Sequence, residues 1–376
     1  MISKLQTNRV RRSYLGGARI DSFCNVESRK SKVESQQPKV ESQRSQVGDS
    51  SGEMSCDMRQ ATCGSPGGAQ PRPEDWLAST TQAFNGTLEV EGEGLGRLED
   101  GRLVRDAVGA LPILVKLLDS DERLVVQAHP TVPCARRLFN SPVGKTECWY
   151  FLPGTAPDAC VYLGFKPGMT REAWEDSVKR DSALSAPLRE DNPILSFLHR
   201  IPVAPGDFVF VDGGVPHAIG GGCFMIELQE PSDLMVVAER FTPSGRRIPD
   251  AKMHGGVGWE KMFEVYEYEG RTYDETVAKY IRRKGAIDCS RLPPTATDCN
   301  QDNAARICGP EFTDKFEMWR VAGGGAVALD GAPAVAVVTE GQGMLGGEAV
   351  RRGDRLVVSG ESALRADGAL SAIVCF

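Results

Sequence analysis

The chain has 376 residues, with 41 glycines, 23 prolines and 25% charged residues, which is enough for one large or two medium domains. Its formal net charge of −7 excludes attraction of nucleic acid by the average field of the molecule. No run reaches the roughly 18 uninterrupted apolar residues of a membrane span, so neither nucleic acid nor a membrane is an expected partner.

Residues 1–72 are rich in Ser, Gln, Arg and Gly, and Lys39-Val40-Glu41-Ser42-Gln43 repeats Lys32-Val33-Glu34-Ser35-Gln36. So few large apolar residues cannot offset the entropy of ordering, and the segment reads as a disordered tail. Arg9, Arg11, Arg12 and Arg19 fall in a stretch with no acidic residue before Asp21. That bias fits an organelle transit peptide, a plain basic tail, or a start codon placed too far upstream. The eleven cysteines are irregularly spaced and form no CxxC pair. They read as reduced thiols of a cytoplasmic protein, with organelle targeting by the tail left open.

From Pro73 the chain reads as globular. Residues 112–118 are an apolar run suited to a buried strand, 119–122 a turn, 123–129 a second strand and 147–152 a third. Thr170 offers an N-cap hydroxyl, followed by Glu172, Glu175 and Asp176 at the positive end of a helix dipole. A further helix is expected over 192–199, and strand patterns resume at Val209. Beyond Lys315, residues 326–329, 334–338, 355–358 and 370–376 read as short strands between Gly-rich corners, the pattern of a sandwich or barrel.

Gly206-Asp207-Phe208-Val209-Phe210-Val211 is echoed by Gly353-Asp354-Arg355-Leu356-Val357-Val358. The first copy leads to His217 and the second to Ser362, with no histidine. The echo predicts two related barrels, of which only the first can bind metal. The expected organisation is a tail over 1–72, a metal-binding domain with a helical insertion over 73–314, and a degenerate β domain over 315–376.

Four histidines are present: His129, His199, His217 and His254. Gln127 and His129 are two apart, so on a strand they share a face. Glu147 lies on the next strand candidate, and His217 follows a Gly-rich corner. Two imidazoles, a carboxylate and an amide oxygen suit zinc or another divalent first-row metal with open coordination positions. Lys145 precedes Glu147 by two and faces the same way, where an ammonium can meet a substrate oxygen or phosphate. Glu227 is a candidate acid or base, or a brace for a neighbouring arginine. Trp149 and Trp259 read as core or pocket wall, His199 and His254 as structural, and Cys148 as buried on the opposite strand face.

Gln127-Ala128-His129-Pro130, Gly144-Lys145-Thr146-Glu147-Cys148-Trp149-Tyr150, Pro205-Gly206-Asp207 with Val215-Pro216-His217-Ala218-Ile219, and Met225-Ile226-Glu227-Leu228-Gln229-Glu230-Pro231-Ser232-Asp233 together resemble the type I mannose-6-phosphate isomerases (phosphomannose isomerases) of the cupin superfamily. The resemblance covers roughly residues 73–376. It implies a mainly β fold of two cupin (jelly-roll) barrels with added helices, with Gln127, His129, Glu147 and His217 as the ligands of a zinc ion. The implied activity is metal-dependent interconversion of mannose 6-phosphate and fructose 6-phosphate through an enediol(ate). The implied partner is a small-molecule sugar phosphate, and the implied assembly a monomer or homodimer. The family carries an arginine linked to catalysis after its Ser-Asp motif. Arg240 is favoured for that role, ahead of Arg246 and Arg247, with Glu227 and Lys145 as the other catalytic candidates.

The match has departures. Val125 stands in place of a polar pocket residue, Thr131 and Val132 in place of acidic ones, and Pro73-Glu74-Asp75-Trp76 begins a shortened version of the family's Trp-Gly-Gly opening. Two alternatives stand beside this reading. A cupin-type glucose-6-phosphate isomerase would carry a His-x-His metal motif, and Gln127 stands where its first histidine would be. A non-catalytic sugar-binding cupin would not need Lys145, Glu227 and Arg240 in one cavity.

Overall fold

The computed structural model describes residues 1–24, 71–85, 90–187, 192–285 and 303–376. The expectations for the remainder of 1–72, including the duplicated pentapeptide, lie outside these residues. The protein is mainly β, as the strand patterns predict, and its described strands form three antiparallel sheets.

The central sheet runs Ile281–Arg282, Phe208–Val211, Glu147–Phe151, Cys223–Gln229, Leu114–Ser120, Glu74–Leu77, Arg9–Val10. Every residue of Leu114–Ser120 and Cys223–Gln229 is buried, including the charged and polar Lys116, Asp119, Ser120, Glu227 and Gln229 that interrupt their apolar runs. A five-stranded sheet contains Val236–Val237, Gln127–Ala128, His217–Ile219, Cys160–Phe165 and Leu198–Pro202. The third, eight-stranded sheet is built from the C-terminal hairpins, with Ala334–Leu345 and Ala363–Cys375 at its centre. One side of it joins the main core through Ile307, Met318, Val335, Val337 and Ile373, while Val321, Ala336, Val338, Leu356 and Val374 form a core of their own.

The repeated motif is repeated geometry. Gly206 and Gly353 both adopt positive φ, 92° and 85°, which only glycine takes without strain. Asp207 N–H donates to the Ala204 carbonyl at 3.0 Å and Asp354 N–H to that of Arg351 at 2.9 Å. Each aspartate side chain then accepts from the same first residue of its turn, at 3.1 and 3.2 Å. Both turns feed short, fully buried strands.

The first 24 residues differ from the sequence expectation. Ile2–Lys4 pairs with Arg355–Val358 in the C-terminal sheet, and Arg9–Val10 pairs with Glu74–Leu77 in the central one. Leu5, Val10, Tyr14, Ile20 and Phe23 are buried. The arginines that resembled a targeting bias are anchors: Arg9 pairs with Asp21, Arg11 with Glu93, Arg12 with Glu74 and Asp233, and Arg19 with Asp119. Averaging composition over 72 residues hid a folded segment at its start. The C-terminal β unit likewise reaches beyond 315–376, since its sheet takes in Ile2–Lys4 and Ala304–Cys308.

Two further elements differ. Thr170 caps the helix Arg171–Ser182 as expected, accepting from Ala173 N–H. Asn192, however, caps only a single 3₁₀ turn, Pro193–Phe197, and His199 lies on the strand Leu198–Pro202. Sheet pairing with Cys160–Phe165 wins over helix there. Within 123–129 only Gln127–Ala128 is strand, because the Val126 N–H is taken by the Glu239 carboxylate. No helix among the described residues is long and apolar enough to cross a membrane.

Candidate metal centre and its cavity

Two sheets deliver the centre. Gln127 and His217 are direct cross-strand partners in the five-stranded sheet, with His129 just beyond the strand end. Glu147 comes from the facing central sheet, opposite Val211 and Gln229. His129, Glu147 and His217 are all essentially inaccessible, and their candidate ligand atoms lie within 4.8 Å of one another.

Hydrogen bonds fix how the imidazoles face. His129 Nδ1 lies 2.8 Å from the Leu234 carbonyl and His217 Nδ1 2.9 Å from that of Val215. A carbonyl only accepts, so each Nδ1 donates its proton there and each Nε2 is turned toward the centre, the arrangement that orients metal-ligating histidines. Burial, then the charge of Lys145, pushes the His129 imidazole down to about 3, so it stays neutral. Glu147 places one oxygen 3.3 Å from each Nε2. These contacts set lone pair against lone pair, and neither buried oxygen accepts a hydrogen bond. Burial opposes the carboxylate charge, but Lys145 and His129 hold Glu147 well below the usual range. The Gln127 amide is 3.4 Å from His217 Nε2, and its oxygen reaches the same centre by a half-turn of the amide. A buried set of two imidazole nitrogens, a carboxylate that accepts no hydrogen bond and an amide oxygen fits a divalent cation.

The Lys145 ammonium points into this centre, 3.0 Å from His129 Nε2 and 3.3 Å from Glu147 Oε2. Beside it lies a cavity of about 40 Å³ lined by Gln127, Lys145, Glu227, Lys116, Arg12 and Lys252, among others. Lys116 and Glu227 are cross-strand partners and form a 2.6 Å ion pair, 3% and 4% exposed. Burial, together with Glu147 and against the pull of Lys116, raises the Glu227 carboxyl above its ordinary value. The Trp149 ring packs edge-on to His217 at 5.5 Å, and Val125 lines the cavity wall.

Arg240 is not brought to this place. Its guanidinium donates to the carbonyls of Ser182 and Ile248, each at 2.8 Å, and pairs with Asp250 at 2.6 Å. The chain turns away after Val236–Val237, so Met235 and Val237 line the cavity and Arg240 does not. Arg247 is 58% exposed in a loop. The guanidinium in the cavity belongs to Arg12. It donates to both Asp233 oxygens, to Glu74 and to Asn85, and lies over the Trp76 ring with Lys116 on the same indole. Burial opposes its charge, but Asp233 and Glu74 raise its pKa. Glu74 is held well below the carboxylate range, since Arg12 and Lys116 overcome its burial.

Arg12, Lys116, Lys252, Glu74 and Asp233 were not singled out from sequence, although signals existed. Lys116 interrupts an otherwise apolar strand. Val10, Arg12 and Tyr14 alternate as three buried residues, a period-2 pattern in which the arginine shares the inward face. His199 bonds the Arg271 carbonyl and His254 accepts from Gly256 and Gly258, so both are structural. Seven cysteines among the described residues are free and buried.

No protein-family model matches the chain. Over 122 residues it is 36% identical to the mannose-6-phosphate isomerase ManA of Bacillus subtilis, a stretch covering 32% of this chain and 35% of that protein. The chain thus matches about a third of the length of this curated relative. Likeness of fold extends much further. The crystal structure of the Bacillus subtilis mannose 6-phosphate isomerase aligns over 100% of this chain and 99% of its own, with a TM-score of 0.64 at 16% identity. A zinc-bound mannose 6-phosphate isomerase structure aligns over 100% and 99%, with a TM-score of 0.61 at 13% identity.

Proposed function

We propose that the chain is a metal-dependent aldose–ketose isomerase. Its substrate pair, on this reading, is mannose 6-phosphate and fructose 6-phosphate. The observation that carries the reading is the Glu147 carboxylate, buried, without a hydrogen-bond donor, and faced by two imidazole lone pairs. Such a set is stabilised by a cation, and Gln127, His129, Glu147 and His217 would hold it.

An isomerase of this class moves a proton between C1 and C2 through an enediol(ate), which needs a base at the carbon and positive charge at the oxygen. Bound there, a divalent ion, zinc foremost, would orient the sugar and polarise its oxygens. Glu227 takes the proton from one carbon and returns it to the other. Its carboxyl is buried, raised above the ordinary range, and held in orientation by Lys116. Lys145 supplies positive charge where the oxyanion develops. Of the three residues expected to share a cavity in an enzyme, Glu227 and Lys145 line the one beside the centre and Arg240 does not, and the two that meet support an enzyme over a sugar-binding module.

The test is conversion of mannose 6-phosphate to fructose 6-phosphate by the purified protein. Activity should vanish on chelation and return with zinc. An inactive, folded, zinc-loaded protein would overturn the reading.

A further inference from the structure

Four cationic side chains line the 40 Å³ cavity, and three have carboxylate partners. Arg12 holds Asp233 and Glu74, Lys116 holds Glu227, and Lys145 lies against Glu147. Lys252, on the helical turn Asp250–Met253, is only 9% exposed. No hydrogen bond or ion pair joins its ammonium to any described residue. The two carboxylates that act on it, Asp233 and Glu74, are both turned to Arg12. With Glu147 counted, four cations meet four carboxylates, but Arg12 takes two of these, Asp233 and Glu74, and Lys252 is left without a direct partner. An uncompensated buried ammonium is costly. That cost, with the repulsion of Arg12 added, pushes Lys252 down to about 8.

We propose that Lys252, backed by the fixed guanidinium of Arg12, forms an anion subsite that receives the phosphate group of the substrate. This rests on the isomerase reading above. Lys252 is the residue that binds. Arg12 is a positioning residue, which keeps Asp233 and Glu74 from neutralising it. The cavity's 40 Å³ is room for roughly three waters at about 10–15 Å³ each, the scale of a phosphate's oxygens and less than a hexose phosphate. A larger pocket of about 450 Å³ shares Asp233 and Met235 with it.

The experiment compares the full chain with Lys252→Gln and Lys252→Arg, using mannose 6-phosphate as substrate and inorganic phosphate as probe. Lys252→Gln should raise KM and the inhibition constant of inorganic phosphate in parallel by about ten-fold or more, the order of one charge-assisted hydrogen bond. kcat should move much less. Lys252→Arg should restore most of the affinity. Removing an unpaired buried charge should leave the melting temperature of Lys252→Gln unchanged or higher, so misfolding does not mask the result. Unchanged KM and inhibition constant in Lys252→Gln, or phosphate inhibition that is not competitive with the sugar phosphate, would overturn the subsite. Calorimetric titration with inorganic phosphate separates this proposal from the isomerase reading. Phosphate bound by the full chain and lost in Lys252→Gln supports the subsite even if no sugar phosphate is turned over. Turnover without phosphate binding sinks the subsite alone.

Discussion

Arg12 grips Asp233 through both terminal nitrogens at 3.1 Å each, across 221 residues of sequence. The pair is 4% and 3% exposed, and Arg12 also holds Glu74 at 3.0 Å. One side chain thus ties the start of the chain to the wall of the candidate site.

Arg12→Ala should therefore destabilise the fold strongly. Breaking a buried ion pair by removing one partner costs about 3–5 kcal/mol, because the abandoned carboxylates stay buried. Denaturant unfolding should show that loss, with Arg12→Lys between the variant and the parent, since an ammonium lacks the fork geometry. With Asp233 and Glu74 released toward Lys252, KM for mannose 6-phosphate should also rise in whatever stays folded. Deleting residues 1–24 should be worse still, as it strips edge strands from two sheets. An Arg12→Ala protein as stable as its parent would refute this account of the segment.

The metal centre makes a separate prediction. His129→Ala or His217→Ala removes one of two imidazole donors while the surrounding sheets stay packed. Bound zinc, measured by elemental analysis, should fall far below one per chain, with circular dichroism unchanged. Stoichiometric zinc in both variants would refute the ligand set.

How far the sequence foretells the site depends on the range of the interactions involved. Gln127 and His129 share a face by local alternation, but His217 pairs with Gln127 across 90 residues and Glu147 comes from the facing sheet, so the full set was legible through the family resemblance of their motifs. Arg240 and Arg12 show the opposite case. Arg240 stands close in sequence to Ser232-Asp233, but the chain turns after Val237 and Ile248 N–H bonds back to the Arg240 carbonyl, which carries its side chain to Asp250. Arg12 is far away in sequence and owes its position to an edge strand only two residues long. No local pattern reports a partner 221 residues on. The 3₁₀ turn at Pro193 failed for a related reason, since tertiary strand pairing overrode a local helix signal.

Glu227 and Arg240 should separate cleanly in kinetics. Glu227→Gln keeps shape and hydrogen-bonding capacity but loses the exchangeable proton. It should retain zinc and lose kcat by about 10²–10⁴-fold, the range for a general acid–base group. Arg240→Ala should do the reverse. Its loss frees the carbonyls of Ser182 and Ile248 and the Asp250 carboxylate, so stability should drop by about 1–3 kcal/mol while kcat of the folded fraction stays near the parent value. A dead but stable Arg240→Ala protein would return the catalytic arginine to that position.

Lys252 should give the pH dependence its form. Its folded value of about 8 lies below the ordinary 10.5, so between those values the unfolded chain binds the extra proton and stability rises with pH through that window. Substrate binding runs the other way. A phosphate dianion favours the protonated ammonium, so affinity should fall as pH climbs through about 8. The groups acting on Lys252 are Arg12, Asp233 and Glu74, and all three keep their charge across the window. The second ionisation of the phosphate, near about 6, is already complete. KM for mannose 6-phosphate should therefore rise from pH 7.5 to 9.5, roughly ten-fold per unit once Lys252 is mostly neutral, with kcat little affected. Lys252→Arg is the decisive control, because a guanidinium does not titrate in this range. Its KM should stay flat where that of the parent climbs. Parallel climbs in both proteins would assign the titration to another group and remove Lys252 from the phosphate site.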